Sequence, residues 1–183
     1  MALKAIRLKI EAPTGEVAPG RGFYQLEEDS LYVQIGVFGS GRSFFNYLES
    51  DGVRFDINKF GRLTLIEVPV ARRHWAVDSN LAIPTIAEPA DVRWLDFRTP
   101  ISEPELITSP RRDRLLVRFS PNGAPNWYRL ADSVFLKADR NNHLSAVMVT
   151  AIEDDLAGQQ IAAFRRKTDR RLARLHGASR TAR

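Results

Sequence analysis

The chain has 183 residues, which is long enough to bury a hydrophobic core without covalent crosslinks. It contains no cysteine, which excludes disulfides and thiolate metal sites and favours a cytoplasmic location. The net charge of +5 is uneven, because residues 156–183 carry eight cations and one anion and the rest of the chain is slightly acidic. No segment approaches the roughly 18 consecutive apolar residues of a transmembrane helix, so we expect no membrane span.

The first part of the chain predicts short β-strands. Residues 1–10 alternate basic and apolar side chains, as a strand does, and lack the apolar core of a secretion signal. A strand at 31–37 and another at 43–47 are expected to form a hairpin through the glycines at 39–41. Strands at 53–57 and 63–68 are expected to form a second hairpin, in which Gly61 takes the positive φ that the turn requires.

The middle of the chain is rich in proline, which cannot donate a hydrogen bond in a sheet. Strands in this region should therefore be short or lie at a sheet edge. We expect a linker at 76–90 and then a strand at 92–97. Further along, a hairpin turn is predicted at Asp139–Asn142, with Asn142 at positive φ.

The two halves of the chain resemble each other, which predicts an internal duplication. Residues 46–71 align with 127–152 without gaps, and residues 29–35 align with 113–119. The N-terminal strand matches 93–97 in apolar pattern alone. The alternative is that two strand-rich segments merely share strand and turn composition. Identical pairs in the longer alignment are Tyr47 with Tyr128, Asp51 with Asp132, Val53 with Val134, Leu63 with Leu144 and Val68 with Val149.

The first repeat reads D-x-L-Y-V-x-I, then D-G-V-x-F-D-x-N-x-x-G-R-L-x-x-I-E-V, over Asp29 to Val68. This pattern resembles a family of short, uncharacterised bacterial β-rich domains. The second repeat departs from it, with Lys137 in place of Asp56 and Met148 in place of Glu67. The resemblance implies a β fold and a bacterial source, and it implies no activity or cofactor.

These patterns predict a mainly β protein with one C-terminal α-helix, in which two repeated antiparallel β-meander units pack into one sandwich- or barrel-like body. The predicted boundaries are 1–75 for the first unit, 76–90 for the linker, 91–153 for the second unit, 154–177 for the helix and 178–183 for a disordered tail. Two separate domains are the alternative. We favour one body, because a single unit would bury too little surface to be stable alone.

The C-terminal helix is predicted to be amphipathic. Acidic residues at 153–155 provide an N-cap and suit the helix dipole, and Gly177 is placed to end the helix. One narrow stripe has a spacing close to that of a coiled coil. The same stripe could instead dock on the protein's own sheet. The predicted oligomer interface consists of Ile161, Phe164, Thr168, Leu172 and Leu175.

Cations surround this stripe, and they could neutralise the phosphates of a nucleic acid, adsorb to an anionic membrane or remain solvated. We predict a non-enzymatic binding or assembly module that forms a homo-oligomer through the helix. The alternative is a nucleic-acid-associated protein. The residues predicted for nucleic-acid binding are Arg165, Arg166, Lys167, Arg170, Arg171 and Arg174.

We predict no catalytic, cofactor-binding or metal site. His74, His143 and His176 lie far apart and show no metal-ligand spacing. Asp56 and Glu67 lie on adjacent predicted strands, and we expect them to face solvent and to pair with Arg54 or Arg62 rather than to perform acid and base chemistry. The sequence predicts no particular small-molecule ligand.

Overall fold

The computed structural model describes residues 5–36, 44–120 and 126–180, with side chains for all of these except Phe44, Leu172 and residues 175–180. The described residues form fifteen strands and one α-helix, which confirms the predicted mainly β class with a C-terminal helix. The elements in chain order are β1 (Leu8–Glu11), β2 (Gly20–Gln25), β3 (Ser30–Ile35), β4 (Phe44–Glu49), β5 (Arg54–Asn58), β6 (Leu63–Val68), β7 (Ala76–Val77), β8 (Glu88–Pro89), β9 (Asp91–Trp94), β10 (Glu105–Thr108), β11 (Leu115–Arg118), β12 (Asn126–Ala131), β13 (Val134–Ala138), β14 (Leu144–Val149), β15 (Glu153–Asp155) and α1 (Gln159–Arg180).

The first large sheet contains six strands in the order β15, β2, β3, β6, β5, β4. All neighbours are antiparallel except β15, which runs parallel to β2. The predicted hairpin between β3 and β4 is wrong, because β6 and β5 lie between these strands. A tight turn closed by the Ser50 N–H and the Val53 carbonyl pairs β4 with β5 instead, and β6 then returns beside β3. The residues predicted for that hairpin's turn lie outside the described ranges.

The second large sheet contains seven strands in the order β7, β10, β11, β14, β13, β12, β8. The five central strands of this sheet lie in the order β10, β11, β14, β13, β12. This order matches that of β2, β3, β6, β5 and β4 in the first sheet. The first strands of the two halves, β1 and β9, form a separate antiparallel pair in which Leu8 lies opposite Trp94. The common origin of the halves stays a prediction.

The two halves exchange edge strands. β15 follows β14 of the second sheet and pairs with β2 of the first, whereas β7 follows β6 of the first sheet and pairs with β10 of the second. The predicted linker at 76–90 thus supplies β7 and β8, and these two-residue edge strands agree with the expectation from its proline content. The crossings interlock the halves.

One hydrophobic core is shared by both sheets and by the β1–β9 pair. The Phe55 ring of the first sheet lies 6.2 Å from the Trp94 ring and 6.0 Å from the Phe119 ring, which follows β11. Neither sheet closes into a barrel in the described part of the chain, so the barrel alternative is wrong. The shared core instead joins the two sheets into one body.

Candidate nucleic-acid interface

The cationic helix is anchored at its first turn by a buried carboxylate, Asp155 at the end of β15. This carboxylate accepts hydrogen bonds from Gln25 Nε2 at 2.5 Å and from the backbone N–H of Gln160 at 2.7 Å and of Ile161 at 3.5 Å. It therefore satisfies N–H groups that a helix leaves unpaired at its start. Because Asp155 is fixed in the first sheet, the direction in which α1 leaves the body is fixed as well.

The helix boundaries differ from the prediction. α1 begins at Gln159 rather than at 154, because 153–155 extend the sheet as β15 and the chain then turns with positive φ at Ala157 and Gly158. At the other end α1 passes through Gly177 and continues to Arg180. The rest of the predicted tail, 181–183, lies outside the described residues.

The first part of the apolar stripe of α1, from Ile161 to Thr168, packs on the first sheet of its own chain. The Phe164 ring lies 5.5 Å from the Phe23 ring of β2, Thr168 is 5% exposed, and Ile161 is half-buried. Three of the five residues predicted for an oligomer interface therefore have neighbours within the chain. The side chains of the other two, Leu172 and Leu175, lie outside the described part of the structure.

Two of the six predicted nucleic-acid-binding residues hold the helix against the body. Arg165 Nη2 donates to Gln34 Oε1 of β3 at 3.1 Å, and Arg171 Nη2 donates to Glu16 Oε2 at 3.0 Å. They lie on either side of the docked stripe, so the stripe and both flanks of α1 face the body.

The other four cations point away from the body and form what we call the free cationic face: Arg166, Lys167, Arg170 and Arg174. At about 100° per residue they fall within an arc of about 100°, nearly opposite Phe164 and Thr168. All four are exposed, and among the described residues none has an ion-pair partner. The acidic residue nearest to this face in the chain is Asp169, which is exposed and forms no ion pair among the described residues.

Sequence reasoning missed the residues that receive the helix, namely Phe23, Gln34 and Glu16. They lie more than 130 positions before their partners in the chain, so no local spacing connects them with α1. The acidic triplet at 153–155 was visible as a cap. The burial of Asp155 was not, because it depends on β15 joining the first sheet.

The remaining chemical candidates have structural neighbours. Arg54 Nε donates to Asp56 Oδ1 at 2.8 Å, which confirms that expected pair. Arg62 pairs with Asp91 instead of either carboxylate, and Tyr32 donates to Glu67 at 3.4 Å. His74 is exposed, and His143 lies 3.2 Å from Asp139, whereas the side chain of His176 is not described. In the described part of the chain no three His, Asp or Glu side chains are grouped to hold a metal ion.

No protein-family model matches this chain, and no curated protein is significantly similar to it. The described residues contain no helix long and apolar enough to cross a bilayer. What supports a function is therefore the arrangement of the chain's own side chains, above all those of α1.

Proposed function

We propose that the protein is a nucleic-acid-binding module in which the β body presents the free cationic face of α1 to phosphates. The observation that carries this proposal is that the described part of the apolar stripe, up to Thr168, is packed within the chain, while four exposed cations lie together on another side of the helix. Because α1 is already held against the body, the helix loses little further conformational entropy when its cations bind phosphates, and this favours binding.

The dimensions of the face suit a polyanion. The nine positions from Arg166 to Arg174 span about 12 Å along an α-helix. Duplex DNA carries about one negative charge per 1.7 Å of its axis, so about seven phosphates lie within that length. The face contains no aromatic side chain and no acidic one, so the binding we propose is electrostatic and independent of sequence. Membrane adsorption is less well supported, because it requires the apolar face that α1 uses for docking.

The experiment is a binding titration of the full chain with a fluorescent duplex of arbitrary sequence at several salt concentrations. With four phosphate contacts, the plot of log affinity against log salt should have a slope of about −3.6. The triple variant Arg166→Gln, Lys167→Gln, Arg170→Gln should reduce that slope to about −0.9, because one cation of the face remains.

A matched control separates the face from net charge. The triple variant Lys59→Gln, Arg111→Gln, Arg140→Gln also removes two arginines and one lysine, all exposed and all in turns of the β body. It should leave the slope near that of the wild type. Equal losses in both triple variants, or no binding by the wild type at low salt, would contradict the proposal.

Self-association through the distal part of the stripe is the second candidate. Arg171 makes the last described contact between α1 and the body, and the stripe continues beyond it with Leu172 and Leu175. We propose these two leucines, rather than Phe164 and Thr168, as the centre of such an interface. Light scattering should then give an oligomer that the double variant Leu172→Ser, Leu175→Ser converts to a monomer and that Ala173→Ser preserves. A monomeric wild type would exclude this candidate.

A further inference from the structure

A cleft of about 540 Å³ lies where the two halves of the chain meet. The first half contributes Val17, Ile35 and Leu63 to its lining, and the second half contributes Val92 and Leu130. The volume is in the range of about 300–1,000 Å³ that is typical of small-molecule sites. The cleft is thus a space of ligand size whose lining is partly apolar and partly polar, and it is formed by the association of the two halves.

A β-bulge places a cation in this cleft. The register between β12 and β13 shifts between Arg129 and Ala131, so β12 carries an extra residue there. On a regular strand two consecutive side chains point to opposite faces. At this bulge Arg129 and Leu130 both line the cleft, which is the effect bulges commonly have beside binding sites.

Arg129 is the cation of the lining that lacks an acidic partner among the described residues. Arg62 is paired with Asp91, at 2.5 Å between Nη2 and Oδ2, and Glu16 is paired with Arg171. Arg129 donates only from Nη2, to the Asp132 carbonyl oxygen at 3.2 Å, and its Nε is buried with no hydrogen-bond partner. Because Nε is buried, a ligand in the cleft can reach only the end of the guanidinium, where Nη1 makes no hydrogen bond among the described residues. A bound anion would provide the acceptor that this end of Arg129 lacks.

We infer that this cleft binds a small monocarboxylic acid with an apolar body. The carboxylate accepts hydrogen bonds from Arg129, and the hydrocarbon part lies against Leu130 and the apolar walls. An unpaired cation next to apolar surface fits one negative charge and a short chain, whereas a neutral hydrocarbon would leave the guanidinium donors unsatisfied. This inference does not depend on the free cationic face.

The test compares octanoate with 1-octanol, which has the same chain length and no charge, by calorimetry and by amide chemical shifts of the full chain. Octanoate should bind at least about tenfold more tightly than 1-octanol, because its carboxylate forms hydrogen bonds with the charged guanidinium of Arg129. The largest shifts should fall on residues of the cleft such as Val17 and Leu130. No octanoate binding at millimolar concentration, equal binding of the two probes, or shifts centred elsewhere would overturn the assignment.

Variants complete the test. Arg129→Gln should weaken octanoate binding about tenfold and leave 1-octanol binding unchanged, whereas Arg140→Gln, at an exposed turn, should change neither. If Arg129→Gln does not fold, Val17→Asp places a negative charge at the cleft and should weaken octanoate binding by a similar factor. Undiminished octanoate binding by the folded variant would overturn the role of Arg129.

Discussion

At the scale of single residues, two hairpin turns show how side chains replace backbone partners. In the turn between β5 and β6, Asn58 Oδ1 accepts hydrogen bonds from the backbone N–H of Phe60 and Arg62, at 2.9 and 3.0 Å. In the turn between β13 and β14, Asp139 Oδ1 accepts them from Asn141 and His143, at 2.8 Å each. Asn58 and Asp139 each accept two backbone hydrogen bonds in their turns, but only the carboxylate of Asp139 becomes protonated at low pH.

Asp139 should make the stability of the protein depend on pH. Burial alone would raise the pKa of Asp139, but the hydrogen bonds from the backbone N–H groups of His143 and Asn141 outweigh it and lower the pKa. A lowered pKa contributes stability above the unfolded pKa of about 3.9, and this stability is lost as the pH falls through the folded value. Asp139→Asn, which introduces the side chain that Asn58 provides in the other turn, should therefore lose less free energy of unfolding than the wild type between pH 5 and pH 2.

Urea unfolding at a series of pH values would measure this difference. Asp132→Asn is a suitable control, because Asp132 is an exposed carboxylate in a neighbouring turn. If the wild type and Asp139→Asn lose the same free energy of unfolding at low pH, the carboxylate of Asp139 does not contribute to the acid sensitivity.

At the scale of elements, the docking of α1 depends on Asp155 more than on the salt bridges around it. Asp155 is fully buried and joins Gln25 of β2 to the first turn of the helix. The adjacent Asp154 is half-exposed and pairs with Arg72. Two neighbouring carboxylates of the same strand thus occupy opposite environments, which provides an internal comparison.

Asp155→Ala should lower the free energy of unfolding by about 2–3 kcal/mol, because it removes a helix cap and leaves a buried amide donor unpaired. Asp154→Ala should cost less than about 1 kcal/mol, as surface ion pairs usually do. Chemical denaturation followed by circular dichroism measures both changes. Equal destabilisation by the two variants would mean that Asp155 does not anchor the helix.

At the scale of the whole molecule, the two large sheets touch at a glycine. A Cβ atom at Gly20 of β2 would lie 2.5 Å from the Cβ of Ala131 of β12, closer than two carbon atoms can pack. The Asp132 N–H also donates to the Ala18 carbonyl beside this point. The close approach of the sheets therefore requires a residue without a side chain at position 20.

Gly20→Ala should lower the free energy of unfolding by about 2 kcal/mol, the usual cost of overpacking. Gly15→Ala is the matched control, because a Cβ at position 15 meets nothing within 4 Å. Both variants restrict the unfolded chain equally, so their difference isolates the contact in the folded protein. Thermal and urea unfolding should agree, and equal stability of the two variants would contradict the close contact between the sheets.

Local patterns of the sequence were sufficient to predict the β class, the two hairpin turns that contain Gly61 and Asn142, and an amphipathic C-terminal helix. Alternation and turn chemistry act over a few residues, so Gly61 and Asn142 have positive φ, at 78° and 58°, as expected. The pairing of Asp56 with Arg54, two residues apart on one strand, was predictable for the same reason. The order of the strands was not, and the expected β3–β4 hairpin does not exist.

The way in which these elements combine depends on contacts between distant parts of the chain. The crossing of β7 and β15 between sheets, the burial of Asp155 and the docking of Phe164 on Phe23 join residues distant in the chain, and no spacing in the sequence encodes such contacts. For the candidate site, the local sequence was enough to predict that α1 is cationic around an apolar stripe. Which cations remain free was decided by the side of the helix that packs on the first sheet, because packing turns the stripe inward and leaves the opposite face to solvent.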